Sequence, residues 1–420
     1  MKIGGIPARI LAEEYGTPLY VTDLDRVSER YDAAVRAIKS RYRNVLLAFA
    51  YKSNSTRDVV NLLSRKGAGA TVVSLPGLEL AIVSGVEARN IVFDGPSKTK
   101  EELAAAIRAG VGMINAESTQ EVGDIESICA HMGVKSCRVG LRANLDLHSE
   151  THAGLATGER NHKFGIAKEE VIEFCKTKAS ELKRAKLVGL HCHIGSQIND
   201  PALFRRLTEE MVALAEELGR EGIAIRELNF GGGLAVPYGQ EKYPDFDEYA
   251  EATAGTYARL RGAGGRPNHV RLVFELGRSI VADSTILLTR VNYLKRAGDK
   301  QWALVDAGMN DFLRPSLYGA YHAIVPAHFW HREPSDVAYS IGGPVCESTD
   351  IFGTDRKLGL KLSPGDILAI LDTGAYGISM ASHYNVRPFP LVAVISKGVH
   401  RLALPDRQYP RRRRPTKRRT

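Results

Sequence analysis

Two tryptophans and five cysteines are few for a chain of 420 residues. The cysteine count is odd and no Cys-x-x-Cys pair occurs, which argues against a disulfide framework or a structural zinc site. Cys129, Cys137, Cys175 and Cys192 read as small apolar residues of strands and helices. Cys346 stands apart in a polar Gly-Pro stretch. No apolar run reaches the roughly 18 residues of a membrane helix. The opening Met1-Lys-Ile-Gly-Gly-Ile-Pro7 lacks the apolar core of a secretion signal. The expected location is cytoplasmic, with no membrane partner. Acids are missing from Arg407 onward, where eight Lys and Arg residues fall, so nearly all of the +9 formal charge belongs to that tail. Its charge and prolines predict a solvated, disordered end, and no specific nucleic-acid partner is expected.

The whole chain is 44% hydrophobic and 25% charged, as an ordinary globular protein is. Short runs rich in Val, Ile, Leu and Phe recur at 45–51, 70–74, 90–94, 112–116, 137–142, 187–193, 226–230 and 270–276. Helical periodicity fills the gaps, as in Arg57–Arg65, Lys100–Ala109, Thr119–Met132, Lys168–Leu182 and Pro201–Glu221. Thr99 and Ser118 head two capping-box patterns. Eight strand–helix alternations predict an α/β protein, a closed (β/α)8 TIM-like barrel. After residue 280 the alternation stops, and strand-like runs separated by turns predict an antiparallel β domain. The expected organisation is an N-terminal segment at 1–30 that pairs with the β domain, a barrel at 31–280, the β domain at 281–405 and the tail at 406–420. The long stretch 143–163, with His148, His152 and His162, is expected to form a loop over the active face.

Reactive groups fall where such a barrel places its chemistry. Lys52 closes the first strand, where its amine is suited to a Schiff base with an aldehyde. In His191-Cys-His193 the two imidazoles share a strand face, suited to lying beside an aromatic cofactor. No third metal ligand is evident near them, so no metal is expected. Gly195 and Ser196 supply a turn and a hydroxyl for phosphate. Gly231-Gly-Gly233 follows the seventh strand, where backbone N–H groups can approach a phosphate. Glu275-Leu-Gly-Arg278 follows the eighth. There Arg278 suits a phosphate or carboxylate, and Glu275 suits a protonated pyridine nitrogen. Arg314 beside Arg278 would suit an extra substrate carboxylate, Cys346 a proton donor and Tyr376 a cap on phosphate. Taken singly, each fits turn chemistry as well as catalysis. Together they suggest a pyridoxal phosphate (PLP) enzyme.

The ordered motifs Phe49-Ala-Tyr-Lys-Ser-Asn54, His162-Lys-Phe-Gly-Ile166, His191–Ile198, Asn229–Leu234, Arg314–His322, Gly343–Ser348 and Gly374–Gly377 carry a resemblance. The chain resembles the fold-type III PLP-dependent decarboxylases, most closely those acting on diaminopimelate. The resemblance implies a PLP-binding barrel, and a homodimer with shared active sites. Lys52 would hold PLP. His193 would stack on its ring. Ser196, Gly232, Gly233, Gly277 and Arg278 would surround the phosphate, and Glu275 would meet the ring nitrogen. Arg278, Arg314, Tyr318, Glu347 and Tyr376 would contact substrate, with Tyr376 also at the cofactor. Cys346 would donate a proton in the partner's site. The implied reaction turns meso-2,6-diaminopimelate into L-lysine, the last step of lysine biosynthesis. Ornithine, arginine, carboxynorspermidine or a carrier-bound glutamyl group are the alternative substrates, and a non-catalytic paralogue is the remaining reading.

Four positions depart from the family pattern. Thr71 and Gly77 stand where acids are usual, Leu276 where proline is usual, and Val392 where glutamate is usual.

Overall fold

A computed structural model of the chain describes residues 1–147, 162–239, 242–263, 270–327 and 334–404. His148, His152 and the basic tail lie outside the described residues.

The first long strand is β1 (Leu19–Asp23). The barrel strands follow: β2 (Val45–Ala50), β3 (Gly69–Val72), β4 (Ile91–Phe93), β5 (Met113–Ala116), β6 (Cys137–Asn144), β7 (Ala185–His191), β8 (Glu227–Asn229) and β9 (Arg271–Phe274). Each pairs in parallel with the next, β9 returns to β2, and β6 meets β7, so the sheet closes. Parallel strands with helices between them are buried on both sides, which explains their near-continuous apolar runs.

Alternation along the strands divides the core in two. Leu47, Phe49, Phe93, Ile114, Leu272 and Phe274 face the helices in one large cluster. Leu46, Ala48, Val92, Met113 and Val273 fill the barrel interior. Two residues further along four of these strands, the same inner face carries Ala50, Asp94, Asn115 and Glu275, all buried. The barrel is apolar below and polar at the carboxyl end, and that change of layer builds the site.

Helix starts follow local chemistry. Thr99 and Glu102 form a complete capping box on Lys100–Ala109. Ser118 caps Thr119–His131, whereas Glu121 reaches back to the N–H of Glu117, one residue before the cap. At the helix Leu75–Val83 Ser74 accepts the Gly77 N–H, and Glu102 of the neighbouring helix accepts that of Leu75. Glu102 thus satisfies a donor at the helix whose third position is the departure Gly77.

The second sheet contains β10 (Thr285–Ala297), β11 (Lys300–Val305), β12 (Ile324–Pro326), β13 (Ala338–Gly342), β14 (Ile351–Lys357), β15 (Ile367–Ile370), β16 (Leu391–Ser396) and β17 (Val399–Leu402). It is mixed rather than wholly antiparallel. β11 runs parallel to β13, and β16 runs parallel to β1. The N-terminal strand creates the second exception, since β1 is inserted between β10 and β16. Val392 pairs with Tyr20 and packs against an apolar cluster of this sheet.

Candidate active site

A pocket at the carboxyl end of the barrel is lined by Lys52, His193, Ser196, Gly232, Gly233, Glu275, Gly277, Arg278 and Tyr376, together with Ala50, Leu234, Leu276 and Ser279. All nine residues expected to hold a cofactor meet there. A larger cavity of about 490 Å³ opens on the other side of Lys52, bordered by Arg57, Ser74, Gly77, Glu79 and Ser379.

Backbone geometry shapes one wall. A Cβ on Gly232 would lie 2.5 Å from the Glu275 carbonyl oxygen, so only glycine allows that approach. Gly233 has a φ of +110°, and a Cβ there would lie 2.6 Å from the Gly195 carbonyl oxygen. Asn229, ending β8, accepts the Gly231 N–H at 2.9 Å and donates to Glu275 Oε1 at 2.7 Å. One side chain therefore fixes both the glycine turn and the carboxyl.

Arg278 enters from the opposite wall. Its Nη2 and Nε donate to Ser196 Oγ at 2.9 and 3.2 Å, its Nη1 donates to Tyr238 at 2.8 Å, and it lies 4.7 Å from the Tyr376 ring. Tyr376 holds a φ of 58°, uncommon outside glycine, and is anchored by its N–H to the Ser53 carbonyl. Beyond Tyr238 lies Arg314, 4.5 Å from its ring. The two guanidiniums are 5% and 3% exposed, and among the described residues neither has an acidic partner. Burying a charge is costly unless it is paired, so these two suit an anionic ligand. Arg314 is oriented by His322, whose Nε2 is 2.7 Å away and whose Nδ1 donates to the Leu371 carbonyl at 2.8 Å. Burial, then the Arg314 charge, lowers His322 to about 3, so it is neutral and accepts from Arg314. Tyr318, half-buried on the short helix Arg314–Tyr318, acts electrostatically on both arginines.

His191 and His193 separate. The strand ends at His191, which sits inside the barrel at 1% exposure, whereas His193 passes the strand end and lines the pocket. Burial, then Lys52 and Arg142, pushes His193 well below the ordinary histidine range. His191, lacking a partner on either ring nitrogen, comes within 3.8 Å of Glu275 Oε2. Asp94 completes this group: one side-chain nitrogen or oxygen each from Asp94, His191 and Glu275 lie within 4.8 Å of one another. Acidic neighbours of His191 therefore come from other strands, which the His-x-His spacing concealed.

Cys346 and Glu347 are not brought to this pocket. They lie on an exposed loop, and neither borders the cavities around Lys52. Cys346 donates its N–H to Asn385 Oδ1 at 2.8 Å, and Glu347 accepts from the Tyr384 hydroxyl at 2.6 Å. Asp350 braces the loop by accepting the N–H groups of Val345 and Met309. Tyr238, Asn229, Asp94, Tyr384 and Asn385 were not singled out from the sequence. Asn229, at the head of the glycine motif, carried the one visible signal.

The pyridoxal-dependent decarboxylase family, through its pyridoxal-binding domain, matches residues 24–282. The diaminopimelate decarboxylase of Methanocaldococcus jannaschii is 38% identical over 94% of this chain and 90% of its own. That of Pseudomonas aeruginosa is 39% identical over 91% and 88%. This chain belongs to the diaminopimelate decarboxylase family. The fold agrees. The diaminopimelate decarboxylase of Methanocaldococcus jannaschii in complex with L-lysine superposes with a TM-score of 0.88 at 37% identity, covering 95% of this chain and 91% of that one. The Helicobacter pylori family member, also complexed with L-lysine, gives 0.86 at 34%, with 94% and 95% covered.

Proposed function

We propose that this protein uses PLP to decarboxylate meso-2,6-diaminopimelate to L-lysine, as a homodimer whose active sites are shared. The observation that carries the reading is the pair of buried guanidiniums, Arg278 and Arg314, flanking Tyr238 without an acid among the described residues. One suits the cofactor phosphate, and the two together suit a substrate with a second carboxylate beyond the reacting centre. The L-lysine complexes of two family members support the same assignment.

The residues fit PLP. Gly232 and Gly233 let their loop pack directly on the Glu275 and Gly195 carbonyls, Ser196 and Arg278 offer donors suited to an anion, and Glu275 is a buried carboxyl lining the same pocket. Lys52, His193, Ser196, Gly232, Gly233, Glu275, Gly277, Arg278 and Tyr376 would hold it. When bound, PLP supplies an aldehyde that captures amines and a ring that accepts the electron pair left by carbon dioxide. Lys52 contributes the amine. Ser196, Gly232, Gly233, Gly277 and Arg278 would surround the phosphate, while the Gly231 and Gly232 N–H groups donate to Asn229 and His193. Glu275 holds a proton at its carboxyl oxygen. His193 packs from one side. Arg314, Tyr318 and Tyr376 orient the substrate, with Glu347 of the partner subunit contacting its distal end. Cys346 of the partner subunit gives the proton that replaces the lost carboxyl.

Ornithine, arginine, carboxynorspermidine or a carrier-bound glutamyl group would make less use of Arg314. A lysine/ornithine decarboxylase of Vibrio vulnificus shares the fold at 21% identity with a TM-score of 0.77, over 93% of this chain and 97% of that one. The test is carbon dioxide release from meso-diaminopimelate and from ornithine, with and without PLP. PLP-dependent release from diaminopimelate, with lysine as product, supports the reading. Release from ornithine alone overturns it.

A further inference from the structure

Glu275 has a second acid against it. Asp94 directly follows β4, with its N–H on the Val72 carbonyl. Its carboxyl accepts Asn115 Nδ2 at 2.7 Å, and a carboxyl oxygen of Asp94 lies within 4.8 Å of one of Glu275, with His191 beside both. Asp94 and Glu275 are each only 5% exposed. Two ionised carboxylates in contact in a dry interior repel strongly, whereas one shared proton turns the repulsion into a hydrogen bond. Thr71, where the family pattern has an acid, lies on the neighbouring strand with its Oγ1 unpartnered. The acid of this layer is Asp94, one strand further on.

The surroundings decide which acid keeps the proton. Burial drives Glu275 well above the ordinary carboxyl range, and the Asp94 charge adds to that. Asp94 ends below its ordinary value despite burial, through His191, hydrogen bonds from Glu275 and Asn115, and Arg142. His191 is lowered to about 3, first by burial, and so is neutral near pH 7. There the Asn115 hydrogen bond and the charge of Arg142, itself paired with Glu117, favour the Asp94 charge. The other titratable groups facing this cluster are Lys52, Lys98, His193 and Tyr249.

We propose that Asp94 is a positioning residue that keeps one proton on Glu275, so that the pair presents that proton and a single negative charge to the ring nitrogen of the cofactor. This rests on the reading that PLP binds at Lys52. Glu275 would pass that proton from its carboxyl oxygen to the nitrogen, its O–H bond breaking as the N–H bond forms, which would leave both carboxylates beside one positive charge and draw no proton from solvent.

Infrared spectroscopy of the full chain without PLP, combined with equilibrium dialysis of PLP against pH, tests this. Wild type should show a protonated-carboxyl band near neutral pH that Glu275→Gln removes. In Asp94→Asn the band should disappear at a pH lower by about one unit or more. PLP affinity of that variant should fall about tenfold per unit of that shift at alkaline pH and converge with wild type at acid pH. A merely structural role would weaken binding equally at every pH. The proposal is overturned if wild type has no such band, if the Asp94→Asn band titrates as in wild type, or if the affinity loss is independent of pH. Asp94→Ser takes the same measurements if Asp94→Asn does not fold. Failure of PLP to bind wild type would overturn the proposed function, and the infrared comparison, which needs no cofactor, would still decide the acid pair.

Discussion

The two ends of the candidate site are built in different ways. At the barrel end, eight expected residues from the ends of four barrel strands, with Tyr376 from the second domain, converge on one pocket. At the loop end, Cys346 and Glu347 stand exposed, held in place by Asn385 and Tyr384 but away from that pocket. The first end is made by closing one sheet and adding Tyr376 from the second. The second has its loop ordered and its reactive groups exposed. A barrel makes a site from strand ends that are distant in sequence, whereas a braced loop can serve a site it does not belong to.

Lys52→Ala should have the largest effect and removes the barrel end's chemistry: activity should fall by roughly a thousandfold or more, and borohydride should no longer trap PLP on the chain. Normal turnover in that variant would end the Schiff-base assignment. Mixing Lys52→Ala with Cys346→Ala chains, each nearly inactive alone, separates the two ends directly. If sites are shared, random pairing should restore about a quarter of wild-type turnover. No recovery would mean that both residues act within one chain. Arg278→Met should weaken PLP roughly ten- to a hundredfold, read by equilibrium dialysis, because a charged bond to the phosphate is lost. An unchanged affinity would move the phosphate elsewhere.

Acid sensitivity compares the two ends through their buried histidines. His191 inside the barrel and His322 behind Arg314 are each lowered from 6.5 to about 3, both chiefly by burial. Below 6.5 the unfolded chain binds protons that the folded chain refuses. Stability should therefore fall as pH drops from about 6.5 toward 3, by up to about 1.4 kcal/mol per pH unit for each histidine. Urea unfolding at successive pH values reads this slope, and His322→Asn should reduce it by one histidine's share. A slope unchanged in that variant would remove His322 from the account. The smallest effect belongs to Tyr384→Phe, which frees Glu347 and should lower turnover by about threefold while leaving PLP affinity unchanged. A loss of PLP affinity there would couple the two ends within one chain.

Much of this was legible from residues alone because barrel strands announce themselves. Val45–Ala50 is apolar on both faces and ends beside Lys52, and the helix starts at Thr99 and Ser118 carry their caps in the sequence. The mixed second sheet was hidden because strand direction is a property of pairs, and the partner of Leu19–Asp23 lies at Leu391–Ser396. Asp94 was hidden for a related reason. It reads as the end of an apolar run, and its meaning comes from Glu275, which pairing brings to it across the barrel.

The sequence by itself determined the alternation of strand and helix, the reactive residues closing the first, sixth and eighth barrel strands and the glycine turn, because these rest on periodicity and on local backbone chemistry. Only the tertiary structure decided which side chains face one another: the Asp94–Glu275 pair, Tyr238 between two guanidiniums, and Cys346 outside its own chain's pocket. Burial and proximity set those charges and partners, and both arise from contacts between residues far apart in the chain.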